Sequence, residues 1–274
     1  MALSTLDVDF LRGVVAEKSG NVITQRQVYM LEKQLQPLAE TEGLPGVEQL
    51  VNELRRSRSN ALKTKIAEAV TVNETSFFRD IHPFDSLRTD ILPKVIEKNK
   101  NEKALRIWCA ASSSGQEPYS IAMVIREHFP ALANWNIKIL STDLSEEMLE
   151  KTKNGVYSQI EVNRGLPVKK LIRFFDKSGT NWTAKPELRG IIDCRRLNLT
   201  APWSYIGQFD IIFIRNVLIY FEPHVKKDIL QRAIKLLRPE GYLFIGSSEM
   251  VIGMGLPIER EKVNETVCYR PTNR

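Results

Sequence analysis

Two carboxylates lie where a nucleotide-binding sheet would meet its ligand. Apolar residues 104–109 predict a buried strand, and a run of small residues, 110–115, follows it. Glu117 then opens a helix, with a proline directly after it, where a missing N–H costs little. Asp143 ends the next predicted strand. Strand, tight turn and helix N-terminus form the corner at which open α/β sheets bind ligands.

The residue types at this corner restrict the ligand. An acid such as Glu117 disfavours a phosphate cradle and suits a ligand that carries hydroxyls or a cation, and S-adenosylmethionine carries both. A dinucleotide is disfavoured because residues 110–115 hold one glycine and no G-x-G-x-x-G pattern. Asp143 has two interpretations, acceptor for ribose hydroxyls or helix N-cap, and the adjacent small-residue turn favours the first.

Composition indicates an ordinary globular protein. The chain has 274 residues, 43% of them hydrophobic and 26% charged, and no apolar run approaches the roughly 20 residues that span a bilayer. The first residues lack the basic start and apolar core of a signal peptide, so we expect a cytoplasmic protein. Three scattered cysteines and three isolated histidines predict free thiols and no metal site.

The elements that must position the two acids alternate between strand and helix from residue 104 onward. We therefore expect an α/β fold with a mostly parallel sheet. Residues 157–189 break the alternation and predict a small inserted antiparallel flap. Residues 1–70 show helical periodicity alone and predict a helical domain, with a second helix over 23–39 that Pro37 and Gly43 interrupt. Residues 71–85 break the helical pattern with two adjacent phenylalanines and predict a linker that is folded against the rest of the protein. Residues 86–274 then form the remaining domain.

The helical domain carries five cations in eleven residues, and the chain has a net charge of +6. The cations are Arg55, Arg56, Arg58, Lys63 and Lys65. They either complement a helix C-terminus or form a docking face for an acidic partner; their density favours docking.

Five motifs occur in one order along the chain. They are NETSFFRD (73–80), AASSSGQEPYSIAM (110–123), STDLS (141–145), LNL (197–199) and IRNVLIYF (214–221). Together they resemble the CheR-type chemotaxis receptor glutamate O-methyltransferases, and the resemblance covers nearly the whole chain. It implies a class I methyltransferase fold, Rossmann-like with a seven-stranded sheet, after an all-α N-terminal domain. It also implies S-adenosylmethionine as cofactor and S-adenosylhomocysteine as product.

The resemblance assigns roles position by position. The cofactor-binding residues that it implies are Asn73, Thr75, Arg79, Glu117, Asp143, Asn198, Leu199, Asn216 and Val217. Tyr220 lies near the transferred methyl in family members, and Arg79 suits the acceptor carboxylate, so both are candidate catalytic residues. Packing at Tyr220, and helix capping at Asn73 and Thr75, remain alternatives.

The implied reaction is methyl-ester formation on glutamates in the cytoplasmic signalling domain of chemoreceptors. No [N/D]-P-P-[Y/F] run follows the fourth strand, which disfavours methylation of nucleic-acid amines; an RNA methyltransferase and a non-catalytic cofactor-sensing module remain the alternatives. We expect a monomer that is recruited to membrane receptor arrays, without nucleic acid or membrane insertion. The short loop 176–182 disfavours binding of a receptor's C-terminal pentapeptide tether.

Overall fold

The chain divides into two compact units in the computed structural model. The structure describes residues 3–204 and 206–272, with every side chain among them except that of Arg26. One part, the helical unit, comprises the chain up to Val72 together with Ile219–Lys226. The other, the sheet unit, comprises Asn73–Leu218 and the chain from Lys227 onward.

The helical unit is built from four amphipathic helices around one apolar core. The helices are α1 (Thr5–Ser19), α2 (Gln25–Thr41), α3 (Val47–Ser57) and α4 (Asn60–Ala69). Ser4 caps α1 in a capping box with Asp7, and Ser59 caps α4. Leu11, Leu35 and Leu50 are fully buried in the shared core.

Helix α2 continues through Pro37, so the expected interruption at that residue was wrong. A proline inside a helix removes one backbone hydrogen bond and costs about 3 kcal/mol. Leu31, Leu35 and Ala39 are nevertheless buried along one face of α2 on both sides of the proline. Burial of this continuous apolar stripe offsets the local cost, which helical propensity alone does not predict.

The basic cluster of the helical unit is largely neutralised within that unit. The ion pairs are Arg55–Asp7 (2.6 Å), Arg56–Glu53 (2.7 Å), Lys63–Glu17 (2.7 Å) and Lys65–Glu42 (2.6 Å). These pairs join neighbouring helices or turns, which gives the cations an intramolecular role. Their density is therefore weaker support for a docking face than the sequence suggested.

The sheet unit alternates helices and strands. It begins with α5 (His82–Ser86), a π-helical turn (Leu87–Ile91) and α6 (Leu92–Asn99). The first half of the sheet follows as β1 (Ala104–Ala110), α7 (Gln116–His128), a 3-10 turn (Pro130–Asn134), β2 (Asn136–Asp143) and α8 (Glu146–Asn154). The inserted flap consists of β3 (Val156–Ser158), α9 (Gln159–Asn163), α10 (Val168–Phe174), β4 (Phe175–Ser178), β5 (Asn181–Ala184) and α11 (Pro186–Arg189).

The remaining elements complete the main sheet. They are β6 (Ile192–Arg196), β7 (Phe209–Ile214), β8 (Leu237–Ile245), β9 (Ile258–Val263) and β10 (Thr266–Pro271). Between β7 and β8 the chain forms a 3-10 turn (Leu218–Tyr220) and α12 (Pro223–Lys235), of which Ile219–Lys226 belongs to the helical unit. The strand order is β6-β2-β1-β7-β8-β10-β9, parallel except where β10 pairs with β8 and β9. Every residue of β7 is buried, as expected of a parallel strand covered on both faces.

This topology confirms the predicted α/β class with a seven-stranded, mostly parallel sheet. The flap is a separate antiparallel sheet of order β3-β5-β4, which confirms the predicted insertion. The chain leaves β1 towards β2 on one side and later returns to β7 on the other side of β1. Ligands of open α/β sheets bind at such a reversal, beyond the carboxyl ends of the strands.

No described helix combines the length and the apolar character that a bilayer crossing needs. Across residues 3–204 and 206–272, no three His, Cys, Asp or Glu side chains form a group that could hold a metal ion.

Candidate active site

The turn after β1 brings the backbone close to the carboxyl edge of the sheet. Ala111, Ser113 and Gly115 all have positive φ, at 52°, 50° and 91°. A Cβ at Gly115 would stand 2.6 Å from the Thr152 side chain, so this position requires glycine. The strained conformation of the two non-glycine residues is typical of a segment shaped for a ligand.

Asp143 joins the end of β2 to this turn. Its carboxylate is 8% exposed and accepts hydrogen bonds from the backbone N–H groups of Ser113 (2.8 Å) and Ser145 (3.0 Å). Burial raises the pKa of Asp143, and the backbone N–H groups oppose that shift. Ser145, not Asp143, supplies the side-chain cap of α8. The backbone N–H of Leu144 also favours the ionised carboxylate. A carboxylate offers about four lone-pair sites, so Asp143 retains capacity to accept a hydroxyl group.

Glu117 lies in the first turn of α7 and contacts a buried arginine. Its carboxylate accepts a hydrogen bond from Arg215 at 2.9 Å, and the Arg215 side chain is 2% exposed. The guanidinium also donates to Asp80 (2.7 Å) and to the carbonyl of Arg79 (2.9 Å). Burial raises the pKa of Glu117, and the positive charge of Arg215 opposes the rise.

Arg215 and Asp80 were not predicted as site residues. Arg215 follows directly after β7, a strand in which every side chain is buried. A cation at that point in an otherwise apolar sequence is the signal that could have found it, since charged side chains are almost never buried without partners. Asp80 gave no comparable signal, because its partner lies 135 positions away.

The strap, residues 73–81, is fixed to the corner at several points. The Asn73 carbonyl accepts a hydrogen bond from the Ser113 hydroxyl at 2.9 Å. Phe77 is fully buried in the core of the sheet unit, and the Phe78 N–H donates to Ser120 Oγ at 2.9 Å. Ile81 has a φ of 36°, unusual for a β-branched residue.

Two further strap residues were predicted to bind the cofactor. Thr75 is half-buried within the strap. Arg79 is also half-buried, and its guanidinium donates to the carbonyl of Glu74 at 2.9 Å. The strap therefore carries Asn73, Thr75 and Arg79 in one sheet-unit segment that hydrogen bonds anchor beside the turn.

The remaining predicted cofactor residues follow β6 and β7. The Leu197 N–H donates to the Asp143 carbonyl at 2.9 Å, which places Asn198 and Leu199 directly after that contact. Asn198 Oδ1 accepts from Thr200, and the Leu199 carbonyl accepts from Arg232 (2.6 Å). Asn216 has a φ of 58°, and Val217 beside it is half-buried.

Tyr220 falls in the other unit. It ends the 3-10 turn Leu218–Tyr220, and its carbonyl accepts a hydrogen bond from the Val22 N–H at 2.9 Å within the helical unit. The residues predicted to bind cofactor all belong to the sheet unit. The catalytic assignment of Tyr220 stays a prediction.

Comparison with known proteins gives the family. The family model described as CheR methyltransferase, SAM binding domain, matches residues 73–267. A chemotaxis protein methyltransferase of Pseudomonas putida is 38% identical over 258 residues, which cover 93% of this chain and 94% of the relative. Another, from Pseudomonas aeruginosa, is 36% identical over 274 residues, 98% of this chain and 99% of the relative. A third, from Vibrio parahaemolyticus, is 36% identical over 266 residues, 96% of this chain and 95% of the relative. The chain belongs to the CheR family of S-adenosylmethionine-dependent methyltransferases.

Proposed function

We propose that this enzyme methylates glutamate side chains of chemoreceptors, forming glutamate methyl esters and S-adenosylhomocysteine. The observation that carries the proposal is the pairing of Glu117 with the buried Arg215 at the carboxyl edge of the sheet. This pair lies within the match to the CheR domain, and the relatives are named chemotaxis protein methyltransferases. The receptor's cytoplasmic signalling domain is the proposed partner.

The residues at the corner fit the amino-acid end of S-adenosylmethionine. The guanidinium of Arg215, held by Glu117 and Asp80, places a positive charge at this corner that favours a carboxylate. Glu117 uses its Oε2 for Arg215 and keeps acceptor capacity for an ammonium group. A buried donor and a buried acid side by side match a ligand end that carries one carboxylate and one ammonium.

The nucleoside end is proposed to lie against Asp143. The carboxylate is fixed by two backbone N–H groups, so it is pre-oriented to accept two ribose hydroxyls. We assign the adenine side to Asn198 and Leu199, and the strap residues Asn73 and Thr75 to the opposite side of the cofactor. Asn216 and Val217 complete the proposed pocket beyond β7.

Methyl transfer to a glutamate carboxylate needs little acid–base catalysis. When bound, S-adenosylmethionine supplies an electrophilic methyl on its sulfonium. A glutamate acceptor is already ionised at neutral pH, so no general base is needed. The work of this chain is to orient the acceptor and to exclude water. We assign acceptor orientation to Arg79 and Tyr220, in keeping with their position in the NETSFFRD and IRNVLIYF motifs.

The proposed setting follows from the same assignment. A monomer is recruited from the cytoplasm to receptor arrays in the membrane. Residues 71–85, the linker that follows a helical domain (1–70) and precedes the methyltransferase domain (86–274), contribute to the cofactor site. The flap hairpin of β4 and β5 turns over two residues, Gly179 and Thr180. So short a hairpin favours a protein that docks without a C-terminal pentapeptide tether.

Transfer of a labelled methyl group tests the proposal. Purified protein, S-adenosylmethionine with a tritiated methyl, and receptor-containing membranes should give labelled receptor that releases methanol on treatment with base. Label that enters RNA and resists base would instead support an RNA methyltransferase. Cofactor binding without transfer to either would indicate a non-catalytic sensor. Asp193→Asn, an exposed acid on β6, is the matched control for Asp143→Asn.

A further inference from the structure

A cavity opens in the sheet unit, beyond the carboxyl end of β8. Its volume is about 390 Å³, within the range of small-ligand pockets and ample for one large side chain. Pro83, Ile245 and Val267 give it apolar walls. Asp80 and Arg215 also line it, so the cavity shares two residues with the ion-pair network described above. It therefore adjoins the proposed amino-acid end of the cofactor.

The rim of the cavity exposes two large apolar side chains. Met250 is 74% exposed and Ile252 is 72% exposed, whereas Val251 between them is buried at 6%. The loop that carries them is nevertheless well anchored. Glu249 is buried and accepts hydrogen bonds from the backbone N–H groups of Gly246 (2.7 Å) and Asn216 (2.8 Å). A fixed loop that presents apolar side chains to solvent is typical of a recognition surface.

The charges of the cavity select against an anionic occupant. Asp80 is paired with Arg215, and Glu249 is satisfied by backbone donors. The other two charged residues of the lining, Arg260 and Glu265, are exposed and have opposite signs. The lining as a whole holds more carboxylates than guanidinium groups, so burial of a further carboxylate here is unfavourable. An uncharged apolar side chain fits both the walls and the rim.

We propose that this cavity receives an apolar side chain of the receptor, from a residue that neighbours the target glutamate. The inference rests on the proposed function and adds to it how the acceptor is selected. The target carboxylate itself must approach the cofactor, and the cavity adjoins that site through Asp80 and Arg215. Seating the neighbouring side chain between Met250 and Ile252 would fix the position of the glutamate along the receptor segment. Receptor segments that lack an apolar neighbour are then poor substrates.

A charge placed on the rim tests the proposal. In the full-length enzyme, Met250→Asp combined with Ile252→Asp should raise KM for a purified receptor cytoplasmic fragment about tenfold, the effect of losing one well-packed contact. The turnover number kcat and the Kd for S-adenosylmethionine, measured by calorimetry, should stay within twofold. Val168→Asp with Ile172→Asp is the matched control, because these α10 side chains are 69% and 67% exposed. The control should leave all three quantities unchanged.

The outcomes separate the two proposals. If the wild-type enzyme is active but the rim variant leaves KM unchanged, or the control raises KM equally, the cavity does not receive a receptor side chain. The proposed methyl transfer would stand in that case. A parallel loss of cofactor affinity would assign the cavity to the cofactor instead, and a wild-type dimer that the rim variant dissociates would assign it to a second copy of the chain. No transfer by wild-type enzyme would overturn both proposals. Rescue of Met250→Lys by an aspartate placed beside the target glutamate would demonstrate direct contact.

Discussion

Near each end of strand β7 an arginine forms ion pairs with two carboxylates, and the two clusters differ in their exposure to solvent. At the amino end, Arg238 contacts Glu102 (2.7 Å) and Asp210 (3.5 Å). At the carboxyl end, Arg215 contacts Glu117 (2.9 Å) and Asp80 (2.7 Å). The same residue types therefore appear twice within one sheet.

Solvent exposure explains the difference. Glu102 is 41% exposed, and hydrogen bonds from Arg238 and Arg106 lower its pKa to about 2. Glu117 is largely buried, and the cost of burying its charge raises its pKa despite the adjacent arginine. At the amino end, the Arg238 side chain is 23% exposed, although its second partner, Asp210, is buried. At the carboxyl end, the Arg215 side chain is 2% exposed. Burial of the arginine and of its glutamate partner, more than residue identity, distinguishes the two clusters.

Arg215→Met should give the largest effect. Loss of the guanidinium leaves Glu117 buried without its cation, which costs on the order of 3–5 kcal/mol of folding free energy. Cofactor affinity should fall by more than about 100-fold, since hydrogen bonds to charged groups contribute about 1.5–3 kcal/mol each. Calorimetry and chemical denaturation measure the two quantities. Arg215→Lys keeps a buried cation and should fold while still binding weakly. Near-native affinity in both variants would contradict the assignment.

Asp143→Asn should have the next largest effect. The asparagine side chain has the same size, but its NH2 group would face one of the two backbone N–H groups that now donate to Asp143. Cofactor binding should weaken about 10- to 100-fold, because one charged acceptor is lost and the other is misdirected. The control is Asp193→Asn, which should leave the affinity for the cofactor unchanged. Equal affinities for the two variants would place the ribose elsewhere.

Cofactor affinity should depend on pH through the two buried acids of the site. Glu117 and Asp143 have raised pKa values, so they take up protons at a higher pH than ordinary carboxyls. Because the cofactor needs both acids ionised, its affinity should fall as pH is lowered through those pKa values. Calorimetry at a series of decreasing pH values measures this loss. Asp143→Asn should show a shallower dependence than wild type, and an identical slope would exclude Asp143 as a contributor.

Glu102→Gln should have the smallest effect. Its pKa is lowered in the folded state, so its stabilisation is present above its unfolded pKa and is lost as pH falls towards about 2. Since the pair is partly exposed, the variant should lose at most about 1 kcal/mol at pH 7 and keep full methyl transfer. Urea unfolding should show the gap between variant and wild type closing in acid. A loss of cofactor affinity would contradict the contrast between the two ends.

The sequence predicted the sheet well because its signals are local. Buried runs marked β1, β2 and β7, and the position of Asp143 at a strand end required only a count along the chain. Strand β8 begins at Leu237 and runs through Pro239 and Gly241, two residue types that usually interrupt regular structure. They are in fact accommodated where the β7–β8 register shifts.

The network around Arg215 could not be predicted in the same way. Its partners Glu117 and Asp80 lie 98 and 135 positions away, and no periodicity links residues at such separations. Burial of Arg215 is a property of the assembled sheet, whereas the sequence shows only an arginine after an apolar run. The resemblance named the neighbouring Asn216 and Val217 and so came close to the arginine without identifying it.

The anchoring of the loop by Glu249 has a consequence for how such enzymes diverge. A Cβ at Gly246 would stand 2.6 Å from Glu249 Oε2 and 2.9 Å from the backbone nitrogen of Asn216, so the base of the loop tolerates almost no variation. The tip at 250 and 252 has no such constraint. Substitutions at the tip can thus change which receptor segments the enzyme accepts while its methyl donor stays the same. Duplicated copies of the gene could then diverge in substrate preference and keep methyl-transfer activity.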